Sequence, residues 1–382
     1  MSEKDSEKLK VAFLGGGIHS SVGRAHRIAL EMEKRFELAA GCFSRYPDRN
    51  KDSARAYGVP ADRTYDRSDE LIVNEKDKIH AVVILTPTPN HKRDVVQCLG
   101  AGIPVICEKA IAASVKEALE IERVMRQRGG FLAVTYNYSG YPMLRELRSF
   151  ILEGRLGRVT QIHIEMPQEG FIRADKDGHP IKPQAWRLRD GALPTLSLDL
   201  GVHVHHTVDF LTGEKPIELA AVHNRFGSFK QVVDNVMCIA RYTHEVVCHI
   251  WYSKAALGHR NGLRIRVYGK KGSAEWYQMD PETLHMNDRF GNPIKMDRAS
   301  KDAAISSEAR YNRFKAGHPT GYIEAFANLY WDIADSLLWY LKTKEFKTDE
   351  YVFGVEKAME GLVFLEAVKK SAVKHRWIRL DE

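Results

Sequence analysis

A parallel α/β domain followed by an α+β domain with a mainly antiparallel sheet is the fold class that the sequence predicts. Three observations predict it. Strand-like and helix-like segments alternate at short intervals up to about residue 135, the pattern of a parallel sheet covered on both faces. Beyond that point strand-like segments follow one another with few helices between them. The 382 residues are too many for one small domain and suit two. The expected domains are 1–137 and 138–382, and no internal repeat is visible.

The first ten or so residues are polar and are expected to fray. Residues 10–14 read as a buried strand that runs into Gly15-Gly16-Gly17. Residues 22–36 have helical spacing, with Ile28, Met32 and Phe36 on one face. Residues 36–43 read as a second strand, and 53–57 look helical. Residues 81–85 are a third, strongly apolar strand. Thr86-Pro87-Thr88-Pro89-Asn90 breaks it, and 91–101 predict a helix closed by Gly102. A fourth strand is expected over 104–107, a helix over 114–128 and a fifth strand over 131–135. A helix over 141–153 ends at Gly154. Strands are expected over 159–166, 219–223, 235–242, 246–252, 263–269 and 274–278. The end is helical again, over 322–340 and 351–374, with room for these helices to pack back on the first domain.

Hydrophobic residues make up 44% and charged residues 28%, ordinary for a soluble globular protein. The net charge of +7 is spread along the chain without a basic stripe or a nucleic-acid-binding module, so a nucleic-acid partner is not expected. A positive cleft for an anionic cofactor accounts for that charge equally well. Cys42, Cys98, Cys107, Cys238 and Cys248 form no CxxC pair, which argues against disulfides or a structural metal and for a reducing compartment. The polar N-terminus has no apolar core of a signal peptide. No apolar run reaches the roughly 18–20 residues of a membrane span, so no membrane partner and a cytoplasmic location are expected.

Gly15 to Gly23 stands where a dinucleotide fingerprint should stand, after the first strand and at a helix start. Its last glycine comes three residues later than in GxGxxG, so the turn is enlarged; a plain strand-to-helix turn is the alternative. The second strand ends in Ser44-Arg45 rather than an acid. A hydroxyl and a guanidinium there suit a 2′-phosphate, or Arg45 stacks on adenine or lies on the surface. Glu108-Lys109 follows the fourth strand, at the carboxyl end of the sheet where open α/β folds bind ligands; a capping ion pair is the alternative. In the second domain a helix ended by Gly213 carries Asp199, His203 and His206 on one face. A histidine oriented by a carboxylate is the usual proton acceptor when a hydroxyl becomes a carbonyl. Histidines satisfied within the helix, or a metal site of His203 and His206 with a carboxylate, remain open from spacing alone.

These pieces occur in a familiar order: the glycine loop, Thr86-Pro87-Thr88-Pro89-Asn90-His91, Glu108-Lys109 and Asp199-x-x-x-His203. The chain resembles the glucose–fructose oxidoreductase / inositol dehydrogenase / rhizopine-catabolism (Gfo/Idh/MocA) family over nearly its whole length. Residues 23–27, 137–142, 184–187, 262–269 and 317–328 look like the branch of levoglucosan dehydrogenase and sugar 3-dehydrogenases. The resemblance implies a Rossmann domain, an α+β domain with an open-faced sheet that often mediates homodimers or homotetramers, and NAD or NADP as cofactor. It implies Lys109, Asp199 and His203 as catalytic residues, with His203 exchanging the proton. It implies Gly15, Gly17, Ile18, Ser44, Arg45, Thr86, Pro87, Asn90, His91, Glu108 and Lys109 around the cofactor. Asn137 and Tyr138 would face the substrate, with Trp186, Arg187, His206 and His318 as further candidates for its pocket. Two departures stand out: Glu-Lys-Ala replaces the family's usual Glu-Lys-Pro, and Val202-His203-Val204-His205-His206 replaces the branch's Thr-His-Ala.

The implied activity is oxidation of a secondary hydroxyl of a sugar, anhydrosugar or cyclitol, or the reverse, at C3 in the nearest branch and on a free or nucleotide-linked substrate. Two other uses of the same frame stay open. One is glycoside hydrolysis or elimination through transient oxidation with retained NAD. The other is a non-catalytic cofactor or sugar sensor.

Overall fold

The computed structural model describes residues 8–346 and 349–381; residues 1–7 of the polar N-terminus, expected to fray, lie outside them. The chain divides into two compact units, 1–140 with 322–359 and 141–321 with 360–382. Among the described residues no helix is long and apolar enough to cross a membrane.

The first unit opens with β1 (Leu9–Gly15), α1 (Gly23–Met32), β2 (Phe36–Cys42), α2 (Pro47–Tyr57), α3 (Ser68–Glu75) and β3 (Ala81–Leu85). It continues through α4 (Thr88–Gly100), β4 (Val105–Glu108), α5 (Val115–Arg128) and β5 (Leu132–Thr135). The strands form one parallel sheet in the order β2-β1-β3-β4-β5. Every residue of β3, β4 and β5 is buried, as covering on both faces requires. The outer edge of β5 is tied rather than open, since Val134 N–H donates to the Phe353 carbonyl at 2.8 Å. The strand order reverses at β1 and β3, where Gly15 pairs with Leu85. Ligands of open α/β sheets bind at the carboxyl ends of the strands flanking such a reversal.

Several boundaries differ from expectation. Helix α1 stops at Met32, Lys34 takes a positive φ of 55°, and Phe36 opens β2 instead of lying on the helix. The buried face of α1 is His26, Ala29 and Leu30, and Ile28 is 49% exposed, so the Ile28–Met32–Phe36 stripe does not exist. Helix α2 begins at Pro47 and α4 at Thr88, with Pro89 inside its first turn. A proline there sacrifices no intrahelical bond, which is why the Thr-Pro-Thr-Pro run starts a helix as well as ending a strand. The eight-residue α3 buries only Leu71, Ile72 and Glu75, too little for a periodic signal. Glu108 is the last residue of β4 rather than the first beyond it.

The second unit contains α6 (Pro142–Leu152), β6 (Val159–Pro167), a π-helical turn (Ser197–Gly201) and α7 (Val202–Thr212). Strands β7 (Pro216–Asn224), β8 (Asn235–Tyr242), β9 (Val247–Ser253), β10 (Arg264–Gly269), β11 (Ser273–Tyr277), β12 (Asp280–Asn287) and β13 (Pro293–Met296) follow. With β14 (Ile378–Arg379) they form a nine-stranded sheet ordered β13-β12-β11-β10-β6-β9-β8-β7-β14. Its pairs are antiparallel except β6 with β9. The last three strands were not expected: β13 is an exposed edge and β14 has two residues. Strand β8 alternates cleanly, burying Val236, Cys238, Ala240 and Tyr242 while Met237, Ile239 and Arg241 stay exposed. Between these two stretches of the second unit, α8 (Tyr322–Thr343) counts with the first unit, and α9 (Val355–Lys374) follows it.

Candidate active site

At the carboxyl end of β1 the backbone lies against the end of β3. Gly15 has a φ of 85°, and a Cβ on it would sit 2.7 Å from Thr86 N. Gly23 begins α1 where a Cβ would sit 1.9 Å from the Gly16 carbonyl oxygen. The enlarged turn between them is braced. Ser20 Oγ accepts from the N–H groups of Val22 and Gly23, each at 3.3 Å. Ile18 N–H donates to Ser53 Oγ at 3.2 Å, and the Tyr57 hydroxyl donates to the Gly16 carbonyl at 3.0 Å. The loop is thus a preformed, glycine-lined cradle at the sheet's reversal, the setting in which a pyrophosphate approaches backbone.

The segment after β3 joins the same end. The Thr86 hydroxyl donates to Asp94 at 2.7 Å, Pro87 precedes α4, and Asn90 N–H donates to the Pro87 carbonyl at 2.8 Å. His91 is 1% exposed, with its ring nitrogens 2.7 Å from the carbonyl oxygens of Thr86 and Ala110. Burial lowers its pKa from the usual imidazole value, against the pull of those carbonyls. His91 therefore staples the turn after β3 to the turn after Lys109. The Lys109–Ala110 peptide bond is cis, and Lys109 is half-buried.

Glu108 closes a buried polar chain that joins four elements of this unit. Its Oε1 accepts from Thr135 Oγ1 at 2.5 Å and lies 3.1 Å from His26 Nε2, while His26 Nδ1 lies 2.7 Å from the Tyr330 hydroxyl. Burial works to raise the Glu108 pKa, but the His26 hydrogen bond and charge, the Lys109 ammonium and the Thr135 hydroxyl outweigh it and lower the value below 4.5. A carboxyl whose folded pKa lies below its unfolded one adds stability above the unfolded value and loses it as pH falls through the folded value. The melting-temperature advantage of the native chain over Glu108→Gln should therefore be full near neutral pH and shrink below about pH 4.5. Thermal melts of the two proteins across that range check this; an advantage that grows in acid would contradict it.

Asn137 and Tyr138, just past β5, are both buried. Asn137 Nδ2 is buried with no hydrogen-bond partner among the described residues. A buried amide left so at the carboxyl end of a parallel sheet suits a ligand acceptor. Ser44 and Arg45 follow β2; the Arg45 guanidinium donates to the Tyr46 hydroxyl at 2.9 Å and lies 4.9 Å from its ring centre. The glycine cradle and the braced turn fit a dinucleotide.

In the second unit, Asp199 lies in the π-helical turn and His203 in the first turn of α7, four residues apart. Such turns disturb the regular helix and recur at functional sites. His203 is buried, and its carbonyl accepts from Thr207 Oγ1 at 2.8 Å. Asp199 Oδ2 accepts from Arg187 Nη1 and from Lys254 Nζ. Arg187 stacks on Trp186 at 4.4 Å, and Trp186 Nε1 donates to Gln184 at 2.9 Å. His205 stacks on Phe364 and His206 on Phe210. His318 is exposed beside Phe314, its carbonyl accepting from Arg298 Nη2 at 3.0 Å. Among the described residues no group of three or more His, Cys, Asp or Glu is placed to hold a metal.

Two residues at these sites escaped the sequence. His26 was hidden by the apolar stripe assigned to α1, although it shares the buried face of Ala29 and Leu30. Lys254 stands 55 residues from Asp199, and a lysine just after a strand carries no signal of its own.

Residues 9–136 match the family described as an oxidoreductase family with an NAD-binding Rossmann fold, and residues 144–275 match the GFO/IDH/MocA C-terminal domain. The uncharacterized oxidoreductase YfiI of Bacillus subtilis is 30% identical over 379 residues, 96% of this chain and 95% of that protein. Levoglucosan dehydrogenase of Pseudarthrobacter phenanthrenivorans is 24% identical over 298 residues, 70% of this chain and 73% of that enzyme. A crystal structure of an inositol dehydrogenase homologue from Azotobacter vinelandii, complexed with NADH and myo-inositol, superposes with a TM-score of 0.88 at 25% identity, covering 98% of each chain.

Proposed function

The chain belongs to the GFO/IDH/MocA oxidoreductase family, and from that premise we propose that it oxidises a secondary hydroxyl of a sugar, anhydrosugar or cyclitol to a ketone, or runs the reverse. It is an NAD-binding sugar or cyclitol dehydrogenase by kind. The observation that carries the finer statement is the buried His203, one turn beyond an Asp199 held by two cations. Levoglucosan dehydrogenase and the myo-inositol complex, as relatives, support a polyhydroxylated ring as substrate. The C3 hydroxyl of a pyranose is the first position to test, on free and nucleotide-linked sugars alike.

His203 takes the hydroxyl proton as the C–H hydride leaves the same carbon and the C–O bond becomes a carbonyl. The nicotinamide, when bound, supplies the hydride acceptor. Lys109 donates a hydrogen bond to the reacting oxygen, and Asp199 orients the ring hydroxyls. Glu108, held as a carboxylate by His26 and Thr135, lines the nicotinamide side without exchanging protons. Gly15, Gly17, Ile18, Thr86, Pro87 and Asn90 hold the dinucleotide, with His91 acting through the turns it staples. Ser44 and Arg45 favour tolerance of a 2′-phosphate, so NADP serves beside NAD. Asn137 and Tyr138 contact the substrate, with Trp186, Arg187, His206 and His318 around it. Dinucleotide binding belongs to residues 1–137, and residues 138–382 carry most of the substrate-binding side chains.

Absorbance at 340 nm, with NAD and NADP each tested against sugars, cyclitols, sugar phosphates and nucleotide-sugars, tests this function. Reduction with at least one of them is expected; cofactor binding with no turnover on any would count against it.

The exposed face of the nine-stranded sheet forms the contact between copies of the chain. Met237, 50% exposed, stands there with Val222 and Ile239, and the rings of His163 and His249 stack at 4.7 Å. Contiguous apolar surface of this kind marks an interface. Met237→Glu should convert a homodimer or homotetramer to smaller species in sedimentation velocity; an unchanged sedimentation coefficient would contradict the assignment.

A further inference from the structure

Lys254 is a buried cation that takes no direct part in the proton and hydride transfer just proposed. Its side chain is only 9% exposed, and burying an ammonium is costly unless it is paired. Its backbone is fixed from both sides. Lys254 N–H donates to the Asp234 carbonyl at 2.8 Å, and its carbonyl accepts from Phe171 N–H at 2.8 Å. The parallel register of β6 with β9, Pro167 opposite Ser253, brings the chain after both strands to this point. From there Nζ reaches Asp199 Oδ2, lying 5.1 Å from the centre of the Phe171 ring. Arg187 reaches the same oxygen from the other side in sequence, with its guanidinium on the Trp186 ring.

We propose that Lys254 is a positioning residue for the sugar reaction, closing with Arg187 a two-armed clamp that fixes the Asp199 carboxylate. The inference rests on the function above, in which Asp199 orients the substrate. The terminal torsion of an aspartate is broad and soft, so a carboxylate tied by one flexible side chain samples many orientations. Two cations on one oxygen, each seated on an aromatic ring, remove that freedom before substrate arrives. Orientation settled in advance is a cost the reaction no longer carries. The carboxylate also gives the Lys254 ammonium a counter-charge, which a buried lysine requires.

A double-mutant cycle on the full chain tests the clamp, using Lys254→Met, Asp199→Asn and the double variant. Initial rates with the sugar found by the absorbance panel give kcat and KM, and nicotinamide fluorescence gives the NAD Kd. Lys254→Met should lower kcat/KM roughly 10–100-fold, the scale of a hydrogen bond to a charged group. The NAD Kd should move less than about twofold, and Lys254→Arg should recover most of the loss. In the Asp199→Asn background, Lys254→Met should change kcat/KM by less than about threefold, because its effect passes through the carboxylate. If Lys254→Met does not fold, Arg187→Met carries the same cycle from the other arm. A loss that adds in full on Asp199→Asn, or that Lys254→Arg does not relieve, overturns the clamp and leaves the dehydrogenase function standing. An Asp199→Asn protein with native turnover overturns both the clamp and the role of Asp199. A native chain that oxidises no sugar overturns the proposed function, and the clamp falls with it.

Discussion

Replacing His203 with alanine is expected to lower turnover about 10²–10⁴-fold while NAD affinity stays within about threefold of the native value. A dehydrogenation on this scaffold needs a base at the hydroxyl and a hydride acceptor at the carbon. The glycine cradle proposed for the dinucleotide lies in the first unit, whereas His203 stands on α7 in the second unit. The variant therefore separates proton chemistry from cofactor binding. His203→Gln should be nearly as slow, since an amide keeps the hydrogen bonding but cannot take the proton. His205→Ala is a control on the same helix: its ring stacks on Phe364 at 5.0 Å, so its loss should act more on stability than on turnover. Steady-state rates with urea melts of the three variants check this. Native-like turnover in His203→Ala would remove His203 from the reaction.

Gly23→Ala should weaken NAD binding by roughly 5–150-fold, the equivalent of the ~1–3 kcal/mol that overpacking a tight site costs. The added Cβ would meet the Gly16 carbonyl oxygen at 1.9 Å and its carbon at 2.5 Å, and both are backbone atoms that no rotamer change can move aside. The start of α1 must then separate from the loop after β1, and the cradle opens. Gly58→Ala is the matched control. Its φ of 73° is strained for alanine, but nothing lies within 4 Å of a Cβ there, so it should cost stability without a comparable loss of NAD affinity. Equal NAD dissociation constants for Gly23→Ala and the native chain, by nicotinamide fluorescence, would show that this loop does not hold the cofactor.

The parallel sheet was legible because β3 is a continuous apolar run, Ala81–Leu85, that only a strand covered on both faces would bury. The glycine turn was legible because three adjacent glycines after a strand have few other uses. The α1 stripe was misread for a physical reason: apolar residues four apart continue past the helix end, and sequence alone does not mark the positive φ at Lys34 that stops it. The burial of His26 against Glu108 was invisible for the same reason, because a polar residue on the covered face is explained only by its partner. Asp199 and His203 were readable as helical neighbours, but the π-helical turn that carries Asp199 has no propensity signature. Lys254 could not be found from spacing, since it stands 55 residues from Asp199 and reaches it only through the fold. Strands β13 and β14 are short, and β12, though as long as β8, lacks the regular alternation that made β8 legible.

Hydride is expected to pass from a carbon of the ring substrate to a cofactor that then leaves the protein. The most direct test is a reaction of the native chain with NAD and a ring-perdeuterated substrate from the absorbance panel, followed by mass spectrometry of the dinucleotide released into solution. Free reduced cofactor carrying one substrate deuteron, formed in step with the ketone, is the expected result. Product formed with no deuterated cofactor in solution would contradict it and point to a nicotinamide that is reduced and reoxidised without leaving its site.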